Sequence, residues 1–495
     1  MTSRQLLSSS RVSQRCCMAL TLLCTCLFPT LRSWGQEEEP AAKAPAGGAA
    51  AAGPKYLELT VDDVVRRKGN STIPGILRGS ANYPLESNRK VFSDYYSKYV
   101  FARMTSVKNL STVAKLRDEF FEDFGKCAKS PEITAHLNKL TTAVMFAIVN
   151  GPRLAVAQGK EKIVVRVGTQ IRGLDGQPVN IPPGTEYKPM DKDFHPAAKY
   201  NAILILGRLN SEAARAGKPA KPYSDVRLPL IQKIAEPSDV PIYLRVAALI
   251  GIARHIKDGP AAGVELDAGT QALTAAAMLK IIAEQPTLGQ EAGYLWLQKQ
   301  AVDILGAMQF LGNNGSVVEQ LTAVIADPKR PLDLKFTVCD ALGQFKLPAP
   351  PKNGTKQLVD QLAMLAVDAC REEIYMAGSP GQRVSPGRIV ARVNSVMTGI
   401  YGSDGEGGGV GATDAALNGY VQRLHRKLAE VKKGFSTGQN SETKLKTALK
   451  TGADTIETFI SSADTADPAD ADAELLDEPN AKASPKGPPA GKTNN

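Results

Sequence analysis

Four segments of the chain share one spacing of polar, small, aliphatic and tiny residues, and this repetition limits the fold more than any other feature. Counting from Lys199 in "KYNAILILGRL", Ala202 lies three residues on, Leu206 seven and Gly207 eight. The same offsets give Ala248, Ile252 and Ala253 from Arg245, Ala301, Leu305 and Gly306 from Gln298, and Val338, Leu342 and Gly343 from Lys335. Offsets of three, seven and eight fall on one face of a helix. A second pattern precedes three of the copies: Ile234-Ala235-Glu236, Ile282-Ala283-Glu284 and Ile325-Ala326-Asp327 each close an apolar run, with Pro within two residues. Proline removes a donor and ends the helix. The unit is therefore helix, Pro-marked turn, helix, with reference positions 46, 53 and 37 residues apart.

A lone helix pair cannot bury its apolar stripe, whereas a stack of pairs can. The small residues let the second helix of one unit lie close against the next, and Leu206, Ile252, Leu305 and Leu342 are expected in the shared core. Helix pairs of this length, with Pro in the turn and a basic residue, Ala and Leu-Gly on the second helix, resemble HEAT repeats; "VPIYLRVAALIGIARHI" (240–256) carries the pattern most fully. The resemblance covers roughly 193–347, with a further pair at 356–373 and 387–403. It implies a mainly α, irregular α-solenoid over residues 193–403. Unit lengths vary, 259–269 and 285–294 are long connections, and Ala253 stands where the other copies have Gly.

The flanking regions differ in character. Arg4, Arg11 and Arg15, an uncharged apolar run up to Arg32, and small residues at Ser33 and Gly35 form the three parts of an export signal, so residues 1–35 are read as a signal peptide cut after Gly35. The run is shorter than the roughly 20 residues of a spanning helix, so no stable transmembrane anchor is expected after cleavage. Retention as an anchor and lipidation at Cys24 or Cys26 are the alternatives. Residues 36–55 form an Ala/Gly/Pro-rich linker. Residues 56–159 read as an N-terminal helical region, where Phe92, Tyr95, Tyr96 and Tyr99 form a core face and Ser130-Pro131 starts a helix. At 160–192 the composition turns β-branched, with Asp175-Gly176 as a turn and Pro182-Pro183 after it, which reads as a β-hairpin or extended insertion. After a Gly-rich break, 413–462 reads as C-terminal helices. Residues 463–495 carry seven acids, several Pro and few bulky apolar groups, the composition of a disordered tail.

Chemistry is harder to find. Without the signal, Cys127, Cys339 and Cys370 remain, allowing at most one disulfide and no metal-ligand spacing. His136, His195, His255 and His425 are scattered; no metal site or cofactor is expected, and His255 is read as a cation at a helix end. No nucleophile elbow or phosphate loop is present, and "GEGGGVG" (405–411) follows no strand, so no catalytic residue is assigned. Loss of four Arg takes the formal charge from +10 to +6, too little over this length to argue for nucleic acid. Arg423, Arg426, Lys427, Lys432 and Lys433 cluster on one helix and read as a solvated face. Sequons at Asn70, Asn109, Asn314 and Asn353 matter only in a glycosylating pathway. The expected function is an exported, non-enzymatic helical-repeat scaffold or interaction subunit with a protein partner, periplasmic or extracellular, in a bacterium by its Ala-rich composition. The alternative is an enzyme or small-ligand-binding protein whose site lies between the N-terminal region or insertion and the repeats.

Overall fold

The computed structural model describes residues 56–462 apart from 80–82, 84–85, 128–129, 152, 158–159, 168–169, 174–179, 181–184, 190–191, 216, 236–239, 287, 348–353, 404–408 and 437–440. The readings of 1–35, 36–55 and 463–495, and of Asp175-Gly176 and Pro182-Pro183, fall outside these residues. The described part is mainly helical, in agreement with the mainly α expectation.

The N-terminal helices are α1 (Asp63–Arg78), α2 (Glu86–Tyr95), a π-helical turn (Tyr96–Val100) leading into α3 (Phe101–Thr105), α4 (Val113–Lys126) and α5 (Pro131–Asn150). Asp62 caps α1 by accepting from the Val64 and Val65 amides, and Ser130 caps α5 ahead of Pro131. Phe92 and Tyr96 are buried and Tyr95 packs at their edge, so these three form the core face; Tyr99, read with them, is half-buried beside Tyr95 and Arg103.

The sheet is larger than expected. Strands β1 (Arg153–Ala157), β2 (Lys160–Val167), β3 (Gln170–Gly173) and β4 (Glu186–Pro189) form an antiparallel sheet in the order β3-β2-β1-β4. The expected insertion at 160–192 therefore starts too late: β1 belongs to it, although 56–159 was read as helical. "RLAVA" is too short to display a period, and its strand character comes from pairing on both sides. β2 rests on α5, and Val164 is buried. A short antiparallel pair, β5 (Asn210–Glu212) and β6 (Lys221–Pro222), also interrupts the first expected repeat.

The remaining helices are α6 (Pro196–Arg208), α7 (Arg227–Ala235), α8 (Ile242–Asp258), α9 (Ala268–Ala283), α10 (Glu291–Met308), α11 (Ser316–Ala326), α12 (Leu332–Leu342), α13 (Thr355–Met376), α14 (Pro386–Tyr401), α15 (Asn418–Ser436) and α16 (Glu442–Ser462). Two runs of contacts organise them. α6, α8, α10, α12 and α14 pack each on the next, while α7, α9, α11 and α13 do the same beside them. α15 and α16 close the series, α15 on α14 and α16 on α13.

The repeat register explains this packing. Leu206, Ile252, Leu305 and Leu342 are all buried, as expected. The tiny residue eight places along one helix meets the residue six places along the next: a β-carbon on Gly207 would lie 2.5 Å from Gly251 Cα, and one on Gly306 would lie 3.0 Å from Ala341 Cα. Gly343 abuts the Thr398 backbone in the same way, which places α14 in register with Arg392 as its reference position. α8 thus meets α6 at Gly251, six places along its register. The long connection after α8 is held by Arg227, whose guanidinium donates to the Val264 and Glu265 carbonyls at 2.9 and 3.2 Å.

Candidate functional site

The reference position of each register copy carries a polar side chain into the stack, and its partner decides whether it can act outward. Lys199 pairs with the Asp193 carboxylate. Arg245 makes two 2.8 Å bonds to the two carboxylate oxygens of Glu284, the acid that follows the Ile-Ala pair ending α9. Gln298 donates to the Glu284 carbonyl at 2.8 Å and the Ile282 carbonyl at 3.2 Å. Arg392 donates to Asp333 at 3.0 Å and to Glu372. Arg245, Gln298 and Arg392 are consumed in holding helices together, while Lys199 bonds within the segment that leads into its own helix.

Lys335 differs. The residue is 7% exposed; its ammonium makes no hydrogen bond or close ion pair among the described residues and feels the charge of Asp368 on α13. The acid that follows the Ile-Ala pair ending α11 is Asp327, and it turns to Arg330, 3.4 Å away. Lys335 instead lines a cavity of about 1090 Å³ bounded by the end of α11, the α11–α12 connection, α12 and the first turns of α13.

The cavity has an apolar side and a charged side. Ile325, Leu332, Met364 and Leu365 supply the first; Arg330, Lys335, Lys356, Asp360 and Asp368 supply the second. Two of the charges neutralise each other: Lys356 lies 3.0 Å from Asp360, whose other oxygen accepts from the Tyr420 hydroxyl. The Lys356 ammonium also sits over the Tyr420 ring, 5.2 Å from its centroid. Burial raises the Asp368 carboxyl from its ordinary value, against the opposing pull of Lys335 and Arg371. Gly354 opens α13 at the cavity wall without a side-chain cap, so the positive end of a 22-residue helix faces the same space.

The other singled-out residues do not converge. Among the described residues no group of three or more His, Cys, Asp or Glu is placed to hold a metal ion. Cys127, Cys339 and Cys370 are free and buried on separate elements, and burial pushes Cys127 and Cys370 up to about 12 and Cys339 further. The cation expected of His255 is overturned. Its ring is buried between Arg227 and Arg254, burial first and these cations second push it down to about 3, and its neutral Nδ1 accepts from Arg227 Nε at 3.2 Å. His136 bonds Ser93 Oγ at 2.9 Å, His195 caps α6, and His425 packs edge-on against Tyr401. Arg423, Arg426, Lys427, Lys432 and Lys433 lie on α15, none of them buried, with Lys427 3.4 Å from Glu430. Asn70 accepts from Tyr95, Asn109 donates to the Arg103 carbonyl, Asn314 is exposed with φ 53°, and Asn353 lies outside the described residues.

The cavity is not at the junction of the N-terminal region and the repeats. One of its features escapes sequence reading: Asp368, whose charge couples to Lys335, lies 33 residues beyond it. α14 falls in the further pair read at 356–373 and 387–403, and its Arg392 and Ser395 repeat the polar-then-small spacing. Comparison of the chain with protein-family models, with curated proteins and with solved structures finds no match.

Proposed function

We propose that the chain is a HEAT-like α-solenoid that acts without catalysis, as an exported scaffold or interaction subunit contacting a protein partner in the cell envelope. The observation that carries this reading is the run of five helices, α6, α8, α10, α12 and α14, joined in one register, with α7, α9, α11 and α13 stacked beside them. Stacked helix pairs produce long surfaces suited to extended partners. The polar reference residues support it too, since Arg245, Gln298 and Arg392 are tied up between helices.

The test is cross-linked affinity capture of residues 36–495 from the envelope fraction of the source cells, beside a variant lacking 153–189, which removes the whole four-stranded sheet. One stoichiometric protein partner retained by the full chain supports the proposal, and its loss from the variant assigns the contact to the sheet. Absence of any partner at low and high salt overturns it. Export is checked separately by the mass of the mature chain, expected to begin at Gln36.

A further inference from the structure

We propose that the exposed face of the closing hairpin, α15 with α16, docks on an anionic lipid surface. Both helices lie outside the five-helix run that carries the partner proposal, so either reading can fail alone.

The packing of the hairpin decides what it shows to solvent. A β-carbon on Gly452 would lie 3.0 Å from the Val431 side chain, and Tyr420 stacks on Phe459 with ring centroids 5.3 Å apart, so the two helices run antiparallel side by side. On α15, Val421, Leu424, Leu428, Val431 and Phe435 are buried at helical spacing. On α16, Leu445, Leu449, Ala453 and Ile456 are buried in the same way. The remaining positions turn outward.

What turns outward is positive charge. Residues 418–462 hold eight Lys and Arg against four acids. Three of the acids are engaged: Glu430 with Lys427 at 3.4 Å, Glu442 with Lys446 at 3.1 Å, and Glu457 with Arg371 of α13 at 2.7 Å. Only Asp454 is left. Arg423, Arg426, Lys433, Lys444 and Lys450 meet no hydrogen-bond or ion-pair partner among the described residues, and the last four are exposed. Arg426 lies three residues after Arg423 and seven before Lys433, so like charges share one side of α15 and repel. A surface of opposite charge relieves that repulsion.

The chemistry of the face selects the occupant. Gln422, Thr447 and Thr451 stand exposed among the cations, and on the described residues of either helix no Leu, Ile, Val, Met or Phe is exposed. A protein interface forms around an apolar core, which this face lacks, whereas a bed of lipid phosphates asks only for charge. Tyr375 on α13 adds a second feature. It lies between two contacts to α16, that of Arg371 with Glu457 and that of the Ala377 carbonyl with Lys446 at 3.1 Å, and it is 79% exposed. An aromatic hydroxyl beside a cationic face suits the headgroup layer of a membrane. Among the described residues no helix is long and apolar enough to cross a membrane, and the apolar stripes of α15 and α16 are buried inside the fold. The contact is therefore peripheral and electrostatic.

The test is co-sedimentation of residues 36–495, which retain every described residue, with vesicles of phosphatidylcholine alone or mixed with phosphatidylglycerol. Partition is expected to be at least tenfold higher on the anionic vesicles. It is expected to fall at least tenfold as salt rises from about 0.1 to about 1 M and the screening length shrinks from about 10 to about 3 Å. Arg426→Gln, Lys433→Gln and Lys450→Gln combined, all at exposed positions, are expected to lower it at least tenfold while the melting profile stays that of wild type. Arg426→Lys with Lys433→Arg, which keeps the charge, is expected to retain binding. The same charge removed elsewhere on the surface, by Lys108→Gln, Lys115→Gln and Lys329→Gln, is expected to change it little. Equal partition onto both kinds of vesicle, or an equal loss from the two triple variants, overturns the docking face. Release of the chain from anionic vesicles by soluble polyglutamate at matched charge assigns the face to an acidic protein and overturns the lipid surface.

Discussion

Gly207 on α6 and Gly251 on α8 meet backbone to backbone: a β-carbon on Gly207 would lie 2.5 Å from Gly251 Cα and 3.4 Å from its nitrogen. No rotamer change can relieve such a clash, because the obstructing atoms are main chain. Gly207→Ala is expected to push the two helices apart and cost about 1–3 kcal/mol in urea unfolding. Gly434→Ala on α15, where an added β-carbon meets nothing within 4 Å, serves as the reference and should stabilise by up to about 1 kcal/mol through helix propensity. Equal effects at the two positions would show that the close packing of α6 on α8 is wrong.

Removing the acid from the Arg245–Glu284 pair should be costly. Arg245 is 3% exposed, so Glu284→Ala strands a guanidinium that has lost both of its charged bonds. A loss of about 2–4 kcal/mol is expected, toward the lower part of the range for buried pairs because the Glu284 side chain is 24% exposed. Arg245→Met with Glu284→Leu should cost less than the sum of the single changes, and strict additivity in that cycle would count against the pair.

The register makes a plain packing prediction at Leu305, which is fully buried on α10. Leu305→Ala is expected to cost about 2–5 kcal/mol by denaturant unfolding. A loss below about 1 kcal/mol would mean that this side chain does not fill the interior shared by α8, α10 and α12.

His255 gives the fold a specific acid sensitivity. Its folded pKa, about 3, lies below the ordinary value of 6.5, so the unfolded chain takes up a proton that the native ring refuses. Both states are neutral above about pH 6.5. As pH falls from there toward 3, stability drops by roughly 1.4 kcal/mol per pH unit from this group alone. His255→Gln, which keeps an acceptor for Arg227, should flatten the difference in melting temperature between pH 6.5 and pH 4 relative to wild type. Parallel pH profiles for the two proteins would exclude His255 as the source.

Much of the array was legible because it rests on local chemistry: Leu206, Ile252, Leu305 and Leu342 sit at fixed helical offsets, and Ser130-Pro131 encodes its own cap. What escaped depends on residues far apart in sequence. Gly251 becomes a contact residue of α8 because Gly207 faces it, a relation that a register read helix by helix does not reveal. β1 is a strand because β2 and β4 flank it. His255 looks like a helix-end cation until Arg227 arrives from α7 to pair with its ring.

The glycine contacts also bear on how the array carries load. Where α6 meets α8 and α10 meets α12, main chain rests on main chain, with little side chain between to tilt and absorb a pull. Between α8 and α10 the approach is looser: a β-carbon on Gly293 would meet only the tip of the Ile242 side chain, 3.5 Å away. Force applied along the row is therefore borne by rigid couplings interrupted by one cushioned by side chains, and bending should concentrate at that joint.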